Sequence, residues 1–110
     1  MIVVVGRVVT DADRRDELVR IGQTVARASR EEAGNISYRI YQDTERENEF
    51  VFVEEWESND ALQRHFATSH VGEFMQAITA TLVAPPDVKF HTIASTMDLS
   101  EVGADRSQVP

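Results

Sequence analysis

Four extended runs, two stretches of helical periodicity and the order strand, helix, strand, strand, helix, strand predict an α+β domain. That order is the ferredoxin-like split βαβ arrangement, with an antiparallel sheet and its helices on one face. At 110 residues the chain has single-domain length and can bury a core without covalent staples. Beyond the two-fold echo of its halves it shows no repeat, linker or low-complexity segment. The domain is expected over 1–97, followed by a polar, aperiodic C-terminal tail over 98–110.

The first strand is read in Ile2 to Thr10 (IVVVGRVVT), which is rich in β-branched residues and ends in turn formers. Asp11, Asp13, Asp16 and Glu17 then place negative charge where a helix N-terminus favours it. Leu18, Ile21, Val25 and Ala28 make one apolar helical face, and Gly34-Asn35 stops that helix. Ile36 to Asp43 alternates, with Ile36, Tyr38 and Ile40 on one side, as a second strand. A polar turn (TEREN) leads to a third strand, Glu49 to Trp56 (EFVFVEEW). Ser58 or Asn59 can cap a short helix carrying Leu62 and Phe66. A further stripe of Val71, Phe74, Met75, Ile78 and Leu82 runs until Pro85-Pro86 ends it, and Val88 to Thr96 reads as the fourth strand.

Composition narrows the function. Nineteen acidic against eleven basic residues give a net charge of −8, a field that repels nucleic acid, and no basic stripe reverses it. Cysteine is absent, which excludes disulfides, thiolate catalysis and thiolate metal sites. MIVVVGRVV is too short for a membrane span and lacks a signal's basic flank, so a cytoplasmic protein without a membrane partner is expected. No G-x-G-x-x-G or P-loop pattern signals a nucleotide cofactor.

The first strand is apolar on both faces: Ile2, Val4 and Val8 on one, Val3, Val5 and Val9 on the other. Helices on one side of the sheet cover only one of these. Leaving the other wet forfeits about 25 cal/mol per Å² and invites aggregation. A homodimer packed sheet to sheet is therefore expected.

The residues with chemistry gather in EEWESNDALQRHFATSH, 54 to 70. His65, at the margin of a buried helical stripe, is either a proton acceptor or a histidine that only hydrogen-bonds a strand. Trp56 is either a core plug or the aromatic wall of a pocket. Glu54, Glu55 and Glu57 read as rim charge. His65 and His70 are five apart and diverge by roughly 140° on a continuous helix, so no metal site is expected.

EEAGNISYRIYQD followed by FVFVEEWESNDALQRHFATSH resembles the antibiotic biosynthesis monooxygenase family. The ordered set is Glu32, Gly34, Asn35, Tyr38, Glu54 or Glu55, Trp56, Ala61-Leu62, His65 and His70, with Ala33 where the family often has Pro. The resemblance is consistent with residues 2–97 and implies a dimeric α+β barrel. It implies a cofactor-free monooxygenase acting on a quinol or phenolic aromatic, whose own electrons reduce O₂. In that reading His65 accepts or orients a proton, Trp56 is the wall, and Phe66, Phe74 and His70 contact substrate. The alternatives are an isomerase or degrading enzyme for a small oxygenated metabolite, and a dimeric module that only binds an aromatic ligand. Haem-degrading relatives carry an Asn near the end of the first strand; Gly6-Arg7 stands here, which argues against haem cleavage.

Overall fold

The computed structural model describes residues 1–104. Its elements are β1 (Ile2–Val9), α1 (Arg15–Arg30), β2 (Asn35–Gln42), β3 (Glu49–Trp56), α2 (Asn59–Phe66), α3 (Ser69–Thr79), β4 (Asp87–Thr92) and α4 (Leu99–Ala104). The four strands form one antiparallel sheet in the order β2-β3-β1-β4. This is the expected split βαβ fold, with α1 packed on β2 and α3.

The inner face carries Ile2, Val4 and Val8 from β1 and Phe50, Phe52, Glu54 and Trp56 from β3, all buried. Strand pairing sets these in rows. Tyr38, Glu54, Val4 and Phe90 follow one another across β2, β3, β1 and β4. Leu18 and Val25 of α1 and Ile78 of α3 close the core from above. Ile21 and Ala28, expected on the same face of α1, are half-buried.

Several details depart from expectation for local reasons. The acidic run first forms a tight 3-10 turn, Ala12–Arg14, in which Asp11 accepts the Asp13 N–H at 2.9 Å. A register shift between Asn35 and Ser37 breaks the alternation of β2, so Ile36 is 50% exposed while Tyr38 stays inside. Helix α3 stops at Thr79, short of Leu82, which instead bridges to Thr10; Met75 is 55% exposed rather than part of the stripe. Thr10 secures that end by donating to the Thr81 carbonyl at 2.9 Å. Strand β4 ends at Thr92 rather than Thr96 and, at the edge of the sheet, is exposed along its whole length. The expected loose tail is helical in part: residues after Asp98 wind into α4, with Val102 N–H bonded to the Asp98 carbonyl at 3.1 Å. Residues 105–110 of that expected tail lie outside the described residues.

Candidate active site

The site begins at the end of β3. Ser58 caps α2 by accepting the Ala61 N–H at 3.1 Å, which fixes the helix phase and turns Ala61, Leu62 and His65 inward. Gly34 sets the opposite wall. Its φ is 87°, its carbonyl takes the Glu57 N–H at 2.8 Å, and a Cβ there would stand 2.5 Å from that of Ala61. Only a glycine lets the chain after α1 pass this close to α2, and that approach brings Glu32 under the helix.

His65 is 3% exposed. Its Nδ1 lies 2.7 Å from Glu32 Oε2, its Nε2 lies 3.6 Å from Glu54 Oε1, and its ring centre is 4.5 Å from that of Trp56. With the Nδ1 proton donated to the carboxylate, Nε2 is left as the acceptor. Burial lowers the imidazole pKa, against the opposing pull of Glu32, so the ring is held neutral. His70 donates to the same Glu32 oxygen at 2.8 Å. The helical-wheel expectation for this pair is therefore corrected. The helix breaks at Ala67 and Thr68, where Thr68 Oγ1 donates to the His65 carbonyl at 2.7 Å, and the two imidazoles converge instead of diverging.

Glu32, His65 and His70 offer one ligand atom each within 4.8 Å, a donor set of the kind transition ions take. As placed, the carboxylate oxygen itself sits between the two rings at hydrogen-bonding distance. The bond from His65 Nδ1 to that oxygen fixes the His65 tautomer.

Between the sheet and the helices lies a hollow of about 310 Å³. His65, Glu54 and Tyr38 stand at its inner end; Phe52 and Phe74 line its flank; Phe66, Val88 and Phe90 rim its mouth. The lining is otherwise apolar. Tyr38 is 2% exposed, its ring edge-on to Phe52, and burial with Glu54 and Glu32 nearby keeps its phenol protonated far above the ordinary range. Glu54 is 9% exposed and accepts the Trp56 Nε1 proton at 3.0 Å. Burial pushes its carboxyl up to about 7, with the Glu32 charge adding to the rise and the Trp56 bond opposing it.

The structure thus brings His65, Phe66 and Phe74 to one hollow and separates the others from it. Trp56, expected as a wall, is wholly buried and touches the hollow only through Glu54 and His65. His70, expected against substrate, faces a different groove beside Arg20 and Glu73. Glu54, expected at a wet rim, is inside, because it shares the phase of Phe50, Phe52 and Trp56. That phase was the available signal for it; Glu32 stood in the ordered set of the family resemblance, but nothing in the sequence assigned it a partner.

The fold and the site define a class: a small split-βαβ domain enclosing an apolar hollow with an imidazole and carboxyls at its inner end. Residues 1–77 match the family model described as antibiotic biosynthesis monooxygenase. An uncharacterised Synechocystis protein, sll1783, is 37% identical over 98 residues, covering 89% of this chain and 67% of its own. YcnE of Bacillus subtilis, whose name assigns it provisionally to the monooxygenases, is 32% identical over 88 residues, 80% of this chain and 93% of its own. Among solved structures, a Deinococcus radiodurans protein assigned provisionally to the same family superposes with a TM-score of 0.85 at 20% identity, covering 90% of this chain and 98% of that one. Rv0793 of Mycobacterium tuberculosis gives 0.82 at 23%, over 88% and 98%. The chain belongs to the antibiotic biosynthesis monooxygenase family.

Among the described residues no helix is long and apolar enough to cross a membrane.

Proposed function

We propose that the protein is a cofactor-independent monooxygenase of a quinol or phenolic aromatic, with His65 as the base that starts the reaction. The observation that carries this is the buried His65 at the inner end of an otherwise apolar hollow of about 310 Å³, its Nδ1 held by Glu32 so that Nε2 is left as the acceptor, with room for one or two fused rings. Phe66, Phe74 and Phe90 supply the aromatic lining. YcnE's provisional name agrees with an oxygenase.

The chemistry follows from the substrate. A phenol gives its proton to His65 Nε2, and the resulting anion is electron-rich enough to pass one electron to O₂. The radical pair joins at a ring carbon next to the oxygen. Overall, a hydroquinone and dioxygen give a hydroxyquinone and water; one oxygen atom enters the ring, the other leaves as water, and all four electrons come from the substrate. A dry, apolar site protects the intermediates. Glu32 holds the ring in the tautomer that can accept, as an orienting carboxylate does.

Metal-free protein incubated with reduced quinones tests the reading by oxygen uptake above autoxidation and by the hydroxylated product. No excess uptake with any of them overturns it. Turnover that continues without oxygen would assign the same base to an isomerase instead.

We also propose that a second copy covers the outer face of the sheet. Val3 and Val5 of β1 and Val51 and Val53 of β3 form an apolar centre there, half-buried only by their own neighbours. Sedimentation giving a monomer at micromolar concentration would remove this part of the proposal.

A further inference from the structure

The oxygenase reading needs the O–O bond to break after dioxygen has joined the ring. Hydroxide leaves poorly unless a proton reaches it as the bond opens. His65 cannot supply that proton while it removes the hydrogen from the oxygen-bearing ring carbon. The step requires an acid beside the base.

We propose that Glu54 is that general acid, and that its contact with His65 returns the proton after each turnover; the role rests on the oxygenase reading above. Glu54 lines the hollow from the inner face of β3, between Val4 and Tyr38 on the adjoining strands. The Trp56 N–H pins its Oε1 at 3.0 Å, and that oxygen stands 3.6 Å from His65 Nε2. The titratable groups around it are Tyr38 from β2, His65 from α2 and Glu32 from the turn after α1; His70 of α3 contacts Glu32. The neighbours on the β1 and β4 side, Val4 and Phe90, are uncharged. A carboxyl whose proton leaves at about 7 is matched to proton transfer near neutrality, whereas the phenol of Tyr38 holds its proton too tightly.

The proton count closes. His65 takes the phenolic proton, and after the radical pair combines it returns that proton to the peroxide anion. It then removes the hydrogen from the oxygen-bearing carbon. The C–H electrons form the new carbonyl as the O–O bond breaks, and the departing oxygen takes the Glu54 proton and leaves as water. His65 is now cationic and Glu54 anionic. One transfer from Nε2 to Oε1 restores both without admitting solvent.

Wild type and Glu54→Gln are compared with a reduced quinone, following oxygen consumed, hydroxyquinone formed and hydrogen peroxide released together. Glutamine preserves the acceptor for Trp56 and carries no transferable proton. Wild type is expected to form one product per oxygen. In Glu54→Gln the product per oxygen should fall on the order of tenfold or more, with peroxide making up the difference. Glu54→Asp, an acid of shorter reach, should restore part of the yield. An unchanged product-to-oxygen ratio in Glu54→Gln overturns the Glu54 role and leaves the oxygenase reading standing. Complete loss of uptake in Glu54→Gln, matching His65→Gln, also overturns it. Aspartate as uncoupled as glutamine does the same. A wild type that consumes no oxygen overturns both readings.

Discussion

At the inner end of the hollow, His65, Glu54 and Tyr38 are almost wholly buried, and His65 and Glu54 are each pinned by a hydrogen-bonding neighbour. At the mouth, Phe66, Met75, Val88 and Phe90 are roughly half exposed, and Phe66 and Phe90 meet edge to face at 5.9 Å. Both ends line the same space. The inner end spends its structure on holding protons in place, and the mouth spends little on holding anything. Reactivity should therefore reside at one end and substrate choice at the other.

The sharpest way to break this contrast is His65→Gln. Losing the base should lower kcat by ~10²–10⁴ while binding of a non-reactive quinone stays within a few-fold. Oxygen consumption and quenching of Trp56 fluorescence read the two quantities. A mouth variant with an equal effect on kcat would end the division of labour.

Next in size is the cost of the buried carboxyl. The folded state holds the Glu54 proton up to about 7 against an ordinary value of 4.5, so between these pH values the native chain binds more protons than the unfolded one. Stability then falls as pH rises through this window, by at most about 3 kcal/mol above it. Glu54→Gln should remove that slope, so thermal melts at pH 8 should favour the variant more than melts at pH 5. Turnover on the acid side should persist through the ordinary imidazole range, because burial keeps His65 neutral there.

Glu32→Gln should cost roughly tenfold to a hundredfold in kcat with KM unmoved, since the ring keeps its place and loses the charge that fixes its tautomer. The smallest effect belongs to the mouth. Phe90→Ala or Phe66→Ala should raise KM by a few-fold, about 1 kcal/mol of ring contact, and leave kcat unchanged. Melting should move little, because half-exposed rings contribute little to the core.

What the sequence disclosed follows from how local each signal is. Strand β3 was legible to the residue, and a cap at Ser58 or Asn59 with it, because alternation and capping depend on near neighbours. The same alternation placed Glu54 inside, but its charge suggested a rim; phase outweighs residue type once Phe50, Phe52 and Trp56 share the face. A short helix at Leu62 and Phe66 and a separate stretch from Val71 were legible, but the turn between them at Ala67 and Thr68 carries neither glycine nor proline to show how it aims the two histidines. The divergence of roughly 140° holds only for a continuous helix, and the turn replaces it with convergence on Glu32. The packing of Glu32 against both rings is a contact across 33 and 38 residues of sequence, and no periodicity encodes such a distance.

Gly34 is the datum from which the Glu32 carboxylate and the His65 imidazole are both surveyed. One peptide unit with a left-handed φ sets how near the Glu32 turn comes to α2, and so whether carboxylate and imidazole meet at all. Anyone retailoring this enclosure for another compound can vary the aromatic brim freely, but must keep that backbone position untouched. A catalogue of kin compiled only from side chains bordering the void would admit sequences with a bulky residue here, which could never assemble the pair.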